Sequence, residues 1–214
     1  MFVKTRMTTN PITVTSETSI AEAYGLVKEN KIRRLPVVDN GKLVGIVTEK
    51  ELQQLTPSKA TTLSIYEVNY LLAKTKVKSA MSKDVIITTP DTLLEEAAVS
   101  MRENNVSALP VVDNGKIVGI ITETDIFDAF TDLLGAREYG SRITVIAEDS
   151  PGVLAKIANI MGDFGVNIIR LAVYRSESDK SRVVIRINSI NTENIEKTLE
   201  DAGYPVVHVS KNIK

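Results

Sequence analysis

Apolar positions recur along the chain in two registers. From Ser19 to Asn30 and from Thr92 to Asn104, Ile20, Ala23 and Val27 and then Leu93, Ala97 and Met101 fall at helical spacing, with Thr18 or Asp91 placed to cap and an asparagine at each end. After each helix the period changes. Leu35-Pro36-Val37-Val38 and Val44-Gly45-Ile46-Val47 are short β-branched runs joined through Asp39-Asn40-Gly41-Lys42. Leu109 to Val112, Asp113-Asn114-Gly115-Lys116 and Val118 to Ile121 restate them. Asn-Gly between apolar runs predicts a hairpin closed by a two-residue turn. Thr48-Glu49-Lys50-Glu51-Leu52 and Thr122-Glu123-Thr124-Asp125-Ile126 then read as hydroxyl N-caps followed by acidic first turns.

These stretches are one unit used twice. Pro36 recurs as Pro110, 74 positions on, and the offset holds upstream without a gap, pairing Met7 with Met81, Thr15 with Thr89 and Asn30 with Asn104. Each copy reads as strand, helix, hairpin, helix. Between them, Pro57 to Thr62 is a polar break, and Ser64 to Lys74, with Ile65, Val68, Leu71 and Leu72, predicts an amphipathic bridging helix that packs on the pair. The expected boundaries are residues 1–56 for the first copy, 57–79 for the linker and bridging helix, and 80–134 for the second copy.

Residues 135–214 follow a different plan. Arg142 to Ala147 predicts a strand, Asp149-Ser150-Pro151-Gly152 a turn, and Val153 to Phe164 a helix with Leu154, Ile157, Ala158 and Met161 on one face, closed by Gly165. A strand (Val166 to Tyr174), a polar turn (Ser176 to Lys180), a strand (Arg182 to Ile187), a helix (Thr192 to Ala202) and a strand (Val206 to Val209) complete a βαββαβ order. That order is the ferredoxin-like plan, two helices on one face of an antiparallel sheet.

Composition narrows the chemistry. The chain has 214 residues, 43% of them hydrophobic, enough for more than one core. Twenty-six Lys and Arg oppose 27 Asp and Glu, so no net field draws it to nucleic acid or an anionic membrane. Cysteine is absent and His208 is the single histidine, which excludes disulfides, thiol chemistry, Ser-His or Cys-His catalysis and Cys/His zinc sites. His208 itself reads as a surface or interface residue. Lys4 and Arg6 are followed by no apolar leader, and no run of about 18 apolar residues occurs, so a cytoplasmic protein is expected.

The repeat, over roughly residues 7 to 130, resembles the cystathionine-β-synthase-type (CBS) domain, whose tandem pair is a Bateman module. The marks are Leu-Pro-Val-Val-Asp followed by Gly-Ile-Val-Thr-Glu-Lys-Glu in one copy and Gly-Ile-Ile-Thr-Glu-Thr-Asp in the other. The resemblance implies an adenosine-containing ligand: AMP, ADP, ATP or S-adenosylmethionine. Its phosphate would be met by a hydroxyl and helix N-terminal amides, and its ribose by a carboxylate one turn later. Thr122 and Asp125 fit that pattern. Thr48 and Glu51 depart from it, because the extra methylene of Glu51 moves the carboxylate by more than about 1 Å. For the adenine slot the resemblance implies Thr15, Ile32 and Arg33 or their counterparts Thr89, Val106 and Ser107, with Arg33 and Arg34 as cations for a phosphate. A plainer reading makes Thr48 and Thr122 only N-caps, their carboxylates only complements to helix dipoles, and Arg33-Arg34 a solvated pair.

Ser141 to Val209 resembles the ACT domain, a small regulatory module, through Asp149-Ser150-Pro151-Gly152-Val153-Leu154-Ala155-Lys156-Ile157 and Gly165-Val166-Asn167-Ile168. It implies dimerisation through the sheet and, in many members, an amino acid held at the Asp149, Pro151, Gly152, Val153 and Leu154 turn with Asn167. Pro-Gly is equally required by the backbone whether or not anything binds. The whole order is similar to the bacterial acetoin utilisation family, through Ala60 to Val68, Tyr70 to Lys74 and Gly135-Ala136-Arg137-Glu138. The expectation is therefore an α/β (α+β) chain: two tandem CBS repeats forming a Bateman module, then a ferredoxin-like ACT domain. It would be a non-catalytic homodimeric sensor needing no cofactor or metal and acting on an unidentified protein. The alternatives are an adaptor with vestigial sites and an adenylate-using enzyme; no Gly-x-x-x-x-Gly-Lys-Ser/Thr loop supports the last.

Overall fold

Helix α1 (Ile20–Glu29) starts where Ser19 Oγ accepts the Glu22 N–H, and it stops where Asn30 Nδ2 donates back to Leu26 O at 2.9 Å. Its buried stripe is Ile20, Ala23 and Val27. The computed structural model describes residues 1–55, 64–175 and 180–213, which fall into two units, Met1–Ile126 and Phe127–Lys214.

Both capping expectations shift by a residue or two. Thr18 does not cap α1; its hydroxyl accepts the Thr15 N–H and closes the preceding turn, which leaves Ser19 at the helix start. Thr92 does the same for Thr89. Helix α4 (Leu94–Glu103) begins later than the Asp91 reading implies, with the Leu93 N–H donating to Glu96, so Leu94 rather than Leu93 joins Ala97 and Met101 in the core.

Strands β2 (Arg34–Asp39) and β3 (Lys42–Thr48) form the first hairpin, and β4 (Ala108–Asp113) and β5 (Lys116–Thr122) the second. Asn40-Gly41 and Asn114-Gly115 all have positive φ, as a type I′ turn requires. The strand expected before each helix is reduced to single parallel bridges, Val14 to Val37 and Thr88 to Val111. Helices α2 (Glu49–Gln54) and α5 (Glu123–Leu133) follow the hairpins.

The two copies exchange their leading segments. Thr8 and Thr9, strand β1, pair with Ile120 and Gly119 of the second hairpin, while Ser82 bridges to Ile46 of the first. Upstream, the Val3 N–H donates to Thr92 O, and the Val77 N–H donates to Thr18 O in the equivalent place. Val3 and Val77 are fully buried, and Val77 packs into the core of the first copy. Close approach explains a glycine in each hairpin. A Cβ on Gly119 would lie 2.6 Å from Met7 Sδ and 3.0 Å from Thr8 O, and one on Gly45 would lie 2.7 Å from Met81 Sδ.

Bridging helix α3 (Ile65–Lys74) packs beside α1, with Ser64 and Glu67 capping each other and Leu72 on the first copy's core. Leu71 is exposed, contrary to the expected apolar face. The side chains of Ile65 and Val68, the polar break at 57–62, and all but Lys180 of the polar turn lie outside the described residues.

In the second unit the strands β6 (Gly140–Glu148), β7 (Ile168–Arg175), β8 (Lys180–Ile187) and β9 (Val206–Asn212) run in the order β7-β8-β6-β9, every pair antiparallel. Helices α6 (Val153–Asp163) and α7 (Glu193–Asp201) bury Ile157, Met161, Ile195 and Leu199 against Ile143, Val145, Val183 and Ile185 of the sheet. This is the ferredoxin-like arrangement. The turn between α5 and β6 is pinned to the sheet: buried Arg186 donates from Nε to Leu134 O (3.2 Å) and from Nη1 to Glu138 O (3.3 Å), while Arg170 Nη2 meets Glu138 Oε1 at 2.6 Å. Among the described residues no helix is long and apolar enough to cross a membrane.

Candidate functional site

The segment exchange creates two clefts in the first unit. One, of about 290 Å³, lies between the Thr8 to Ile12 segment, the Lys31 to Arg34 loop, and Ile120 and Thr122. The other, of about 270 Å³, lies between Ser82 to Ile86, Asn105 to Ala108, and Ile46, Thr48 and Glu51. Ten lining residues of each correspond through the repeat; Arg34 and Glu51 join the second lining in addition, while Asp125, the counterpart of Glu51, is not among the lining residues of the first and stands beside it through Thr122. Each cleft joins the threonine of one copy to the post-helix loop of the other, so Thr122 sits with Ile32, Arg33 and Arg34, and Thr48 sits with Val106 and Ser107. The exchanged strands enforce this crossing. Thr15 and Thr89 are not among the lining residues of either cleft; their hydroxyls lie 3.0 and 2.9 Å from those of Thr18 and Thr92.

The threonine–carboxylate pairs differ. Asp125 Oδ2 accepts both the Thr122 N–H (2.8 Å) and the Thr122 hydroxyl (2.7 Å), while Oδ1 accepts no hydrogen bond among the described residues. Glu51 Oε2 accepts the same two groups of Thr48, and its longer arm brings Oε1 to the Ser82 hydroxyl at 3.2 Å. Glu51 therefore has both oxygens engaged, whereas Asp125 keeps one available. The capping function is present in both copies; capacity beyond it is present in one.

Cations gather around Thr122. Arg33 Nη2 donates to Thr124 Oγ1 at 3.2 Å, which sets the guanidinium at the first turn of α5. Arg34 donates to the Ser107 hydroxyl and lines both clefts. Burial and the neighbouring Arg33 charge draw the Arg34 guanidinium below its ordinary value, while Glu123 and Asp125 act the other way. It stays charged at neutral pH, because arginine starts so far above it.

In the second unit a concave site of about 320 Å³ lies at the turn from β6 into α6, lined by residues 148–155 with Val173, Ser181 and Val183. Asp149, Pro151, Gly152, Val153 and Leu154 all meet there. Gly152 has φ of 87°, the left-handed conformation this entry into the helix needs. Asp149 is held by Arg175, whose Nε lies 3.0 Å from Oδ2. Asn167 is not brought to this site. It follows the opposite end of α6, a helix about 16 Å long at 1.5 Å per residue, and its N–H donates to Asn188 Oδ1. Sequence reasoning missed Ser181, whose buried hydroxyl lines the site with no hydrogen-bond partner among the described residues. Its signal was a hydroxyl in the buried alternation of Val183, Ile185 and Ile187.

His208 is exposed on β9, opposite Thr144. Among the described residues no group of three or more His, Asp or Glu is placed to hold a metal ion.

Comparison with known proteins agrees with this division. A family model for the CBS domain matches residues 3–55 and 77–132, and one for the ACT domain matches residues 141–203. The CBS pair of protein MJ0100, solved with methylthioadenosine and S-adenosyl-L-methionine, is 31% identical over 62% of this chain and 97% of that one, with a TM-score of 0.51. CBSX2, a protein of Arabidopsis thaliana solved with AMP, is 31% identical over 61% of this chain and 96% of that one, TM-score 0.51. A Vibrio cholerae protein assigned to acetoin utilization (AcuB) is 31% identical over 63% of this chain and 93% of that one, TM-score 0.52.

Proposed function

Because the chain belongs to the CBS-domain family and carries an ACT domain behind its CBS pair, we propose that it is a non-catalytic regulatory sensor. Its CBS pair binds an adenosine-containing ligand at the Thr122 cleft, and its ACT domain dimerises the chain and reads an amino acid. The observation that carries this reading is the Asp125 carboxylate. One oxygen completes the cap of α5 and the other is left for a ribose hydroxyl, beside a cleft lined by Arg33 and Arg34. Solved relatives with methylthioadenosine, S-adenosyl-L-methionine and AMP support the ligand class. The likeness to the Vibrio cholerae protein supports acetoin utilization as the setting of the regulated partner.

At the ACT turn the Ser181 hydroxyl, without a partner among the described residues, and the left-handed entry at Gly152 support a small polar ligand such as an amino acid. Boundaries at residues 56, 79 and 134 and a cytoplasmic location belong to the same reading.

The test is a thermal-shift and calorimetric screen of the full chain against AMP, ADP, ATP, S-adenosylmethionine, NAD and the common amino acids, repeated with Asp125→Asn. A ligand at a hundredfold excess over Kd stabilises by about 2.7 kcal/mol, well within reach of the screen. A nucleotide response lost in Asp125→Asn is the expected result. Silence across the adenosine compounds overturns the sensor and leaves an adaptor in which Thr122 and Asp125 only cap a helix; ATP turnover abolished by the variant restores the enzyme reading.

A further inference from the structure

The exchanged segments give two clefts of the same build, yet the repeat has not kept their charge equal. The post-helix loop of the first copy is Lys31-Ile32-Arg33-Arg34, and the second copy has Asn105-Val106-Ser107-Ala108 in its place. All three cations of this pair of loops therefore come from one copy, and all three line the Thr122 cleft. The opposite substitution occurs on the facing wall. Asn10 of the Thr122 cleft becomes Asp84 in the Thr48 cleft, and the carboxylate there is Glu51, with both oxygens already engaged. Lys50, which stands where the second copy has Thr124, does not line the Thr48 cleft. Arg34 is the one cation on that lining, and it is tied to Ser107.

Arg33 adds position to charge. Its hydrogen bond to Thr124 holds the guanidinium one residue from Asp125, so a ligand whose ribose meets Asp125 has an arginine fork nearby for its phosphates. A guanidinium binds a phosphate oxygen through charge-assisted, often bidentate hydrogen bonds, whereas Asp84 and Glu51 repel it.

We propose that the two clefts take different ligands: the Thr122 cleft selects adenosine ligands that carry phosphate, with Lys31 and Arg33 as the selecting residues, and the Thr48 cleft discriminates against phosphate through Asp84 and Glu51. This rests on the reading of the CBS pair as an adenosine-ligand sensor. The duplicated fold thereby senses the phosphorylated fraction of the adenosine pool on one side only.

The experiment is calorimetric titration of the full chain with adenosine, AMP, ADP and ATP at fixed ionic strength. The expected result is one phosphorylated ligand per chain, with affinity rising by about tenfold or more from adenosine to ATP, the size of one charge-assisted hydrogen bond. Replacing the selecting residues by their counterparts, Lys31→Asn with Arg33→Ser, is expected to remove that rise, so that ATP and adenosine bind the variant alike. Both side chains are exposed, and asparagine suits the positive φ of 53° at position 31, so the variant keeps its fold. The converse variant, Asp84→Asn with Asn105→Lys and Ser107→Arg, is expected to add a second equivalent of ATP. Equal affinity for adenosine and ATP, or two equivalents of ATP in the unaltered chain, overturns the proposal while leaving the sensor intact. Absence of binding by all four compounds overturns this proposal, and the sensor falls with it when S-adenosylmethionine is silent too.

Discussion

Single residues decide where the two copies stop being equivalent. Ser16 donates its N–H to Asp39 Oδ1 at 3.0 Å, whereas the corresponding position of the second copy is Pro90, which has no N–H to give. Hydrogen bonds from the Ser16 hydroxyl and backbone hold the Asp39 carboxyl below the ordinary aspartate value. A carboxyl depressed on folding contributes stability above its unfolded pKa, and that contribution is lost as pH falls through the folded value. A carboxyl-detected NMR titration is therefore expected to place Asp39 lower in the unaltered chain than in Ser16→Pro; coincident midpoints would remove Ser16 as the cause. Gly119 offers a second residue-scale test. The added methyl of Gly119→Ala meets Met7 and the Thr8 carbonyl, an overpacking expected to cost about 1–3 kcal/mol in denaturant unfolding, partly relieved by Met7→Ala. If Gly119→Ala is neutral, the crossing strand yields easily and does not account for the glycine.

At the scale of elements, legibility follows how far apart the interacting residues are in sequence. The hairpins, the asparagine helix stops, the bridging helix and the βαββαβ order rest on local signals, and the structure forms each of them. The cap expected at Thr18 moves to Ser19 because the Thr18 hydroxyl closes the preceding turn first, and the one expected at Asp91 gives way to Glu96 bonding back to Leu93, Asp91 instead accepting from Lys4. The exchange of leading segments had no signature at all. Two-residue pairings such as Thr8 with Ile120 join positions more than a hundred residues apart and leave no periodicity to read. The crossed composition of the clefts was hidden for the same reason: the residue types were legible, and their partnership depends on that exchange. Deleting residues 1–9 is accordingly expected to speed hydrogen exchange in β5, of the second copy, more than in β3, of the first. The reverse order would contradict the pairing.

For the whole molecule, the proposed sensor would have its covalent route from nucleotide to response in α5 and the turn after it. Asp125 lies in the first turn of α5, and the residues following that helix are held on the ACT sheet by Arg186 and Arg170. Nucleotide at saturation is expected to slow hydrogen exchange in residues 127–154, and Arg186→Leu to weaken that response without changing nucleotide affinity. Unchanged exchange in the unaltered chain would mean that occupancy is not transmitted along this path.

The crossing of residues 1–9 and 75–83 also bears on how such a chain could arise. Two separate single-copy polypeptides would have to trade those same segments to close their cores, so the fold describes a symmetric pair first and a tandem chain second. In the pair, any change in one cleft is imposed on the other; joined in one gene, each cleft is free to vary alone, and Lys31 against Asn105 records that freedom. On that view the trade of segments, and not the chain's continuity from Leu55 to Ser64, is what holds the two copies together. A chain nicked between those two residues is expected to elute undivided from a sizing column, and fragments that part would show that the connection, and not the trade, holds the pair together.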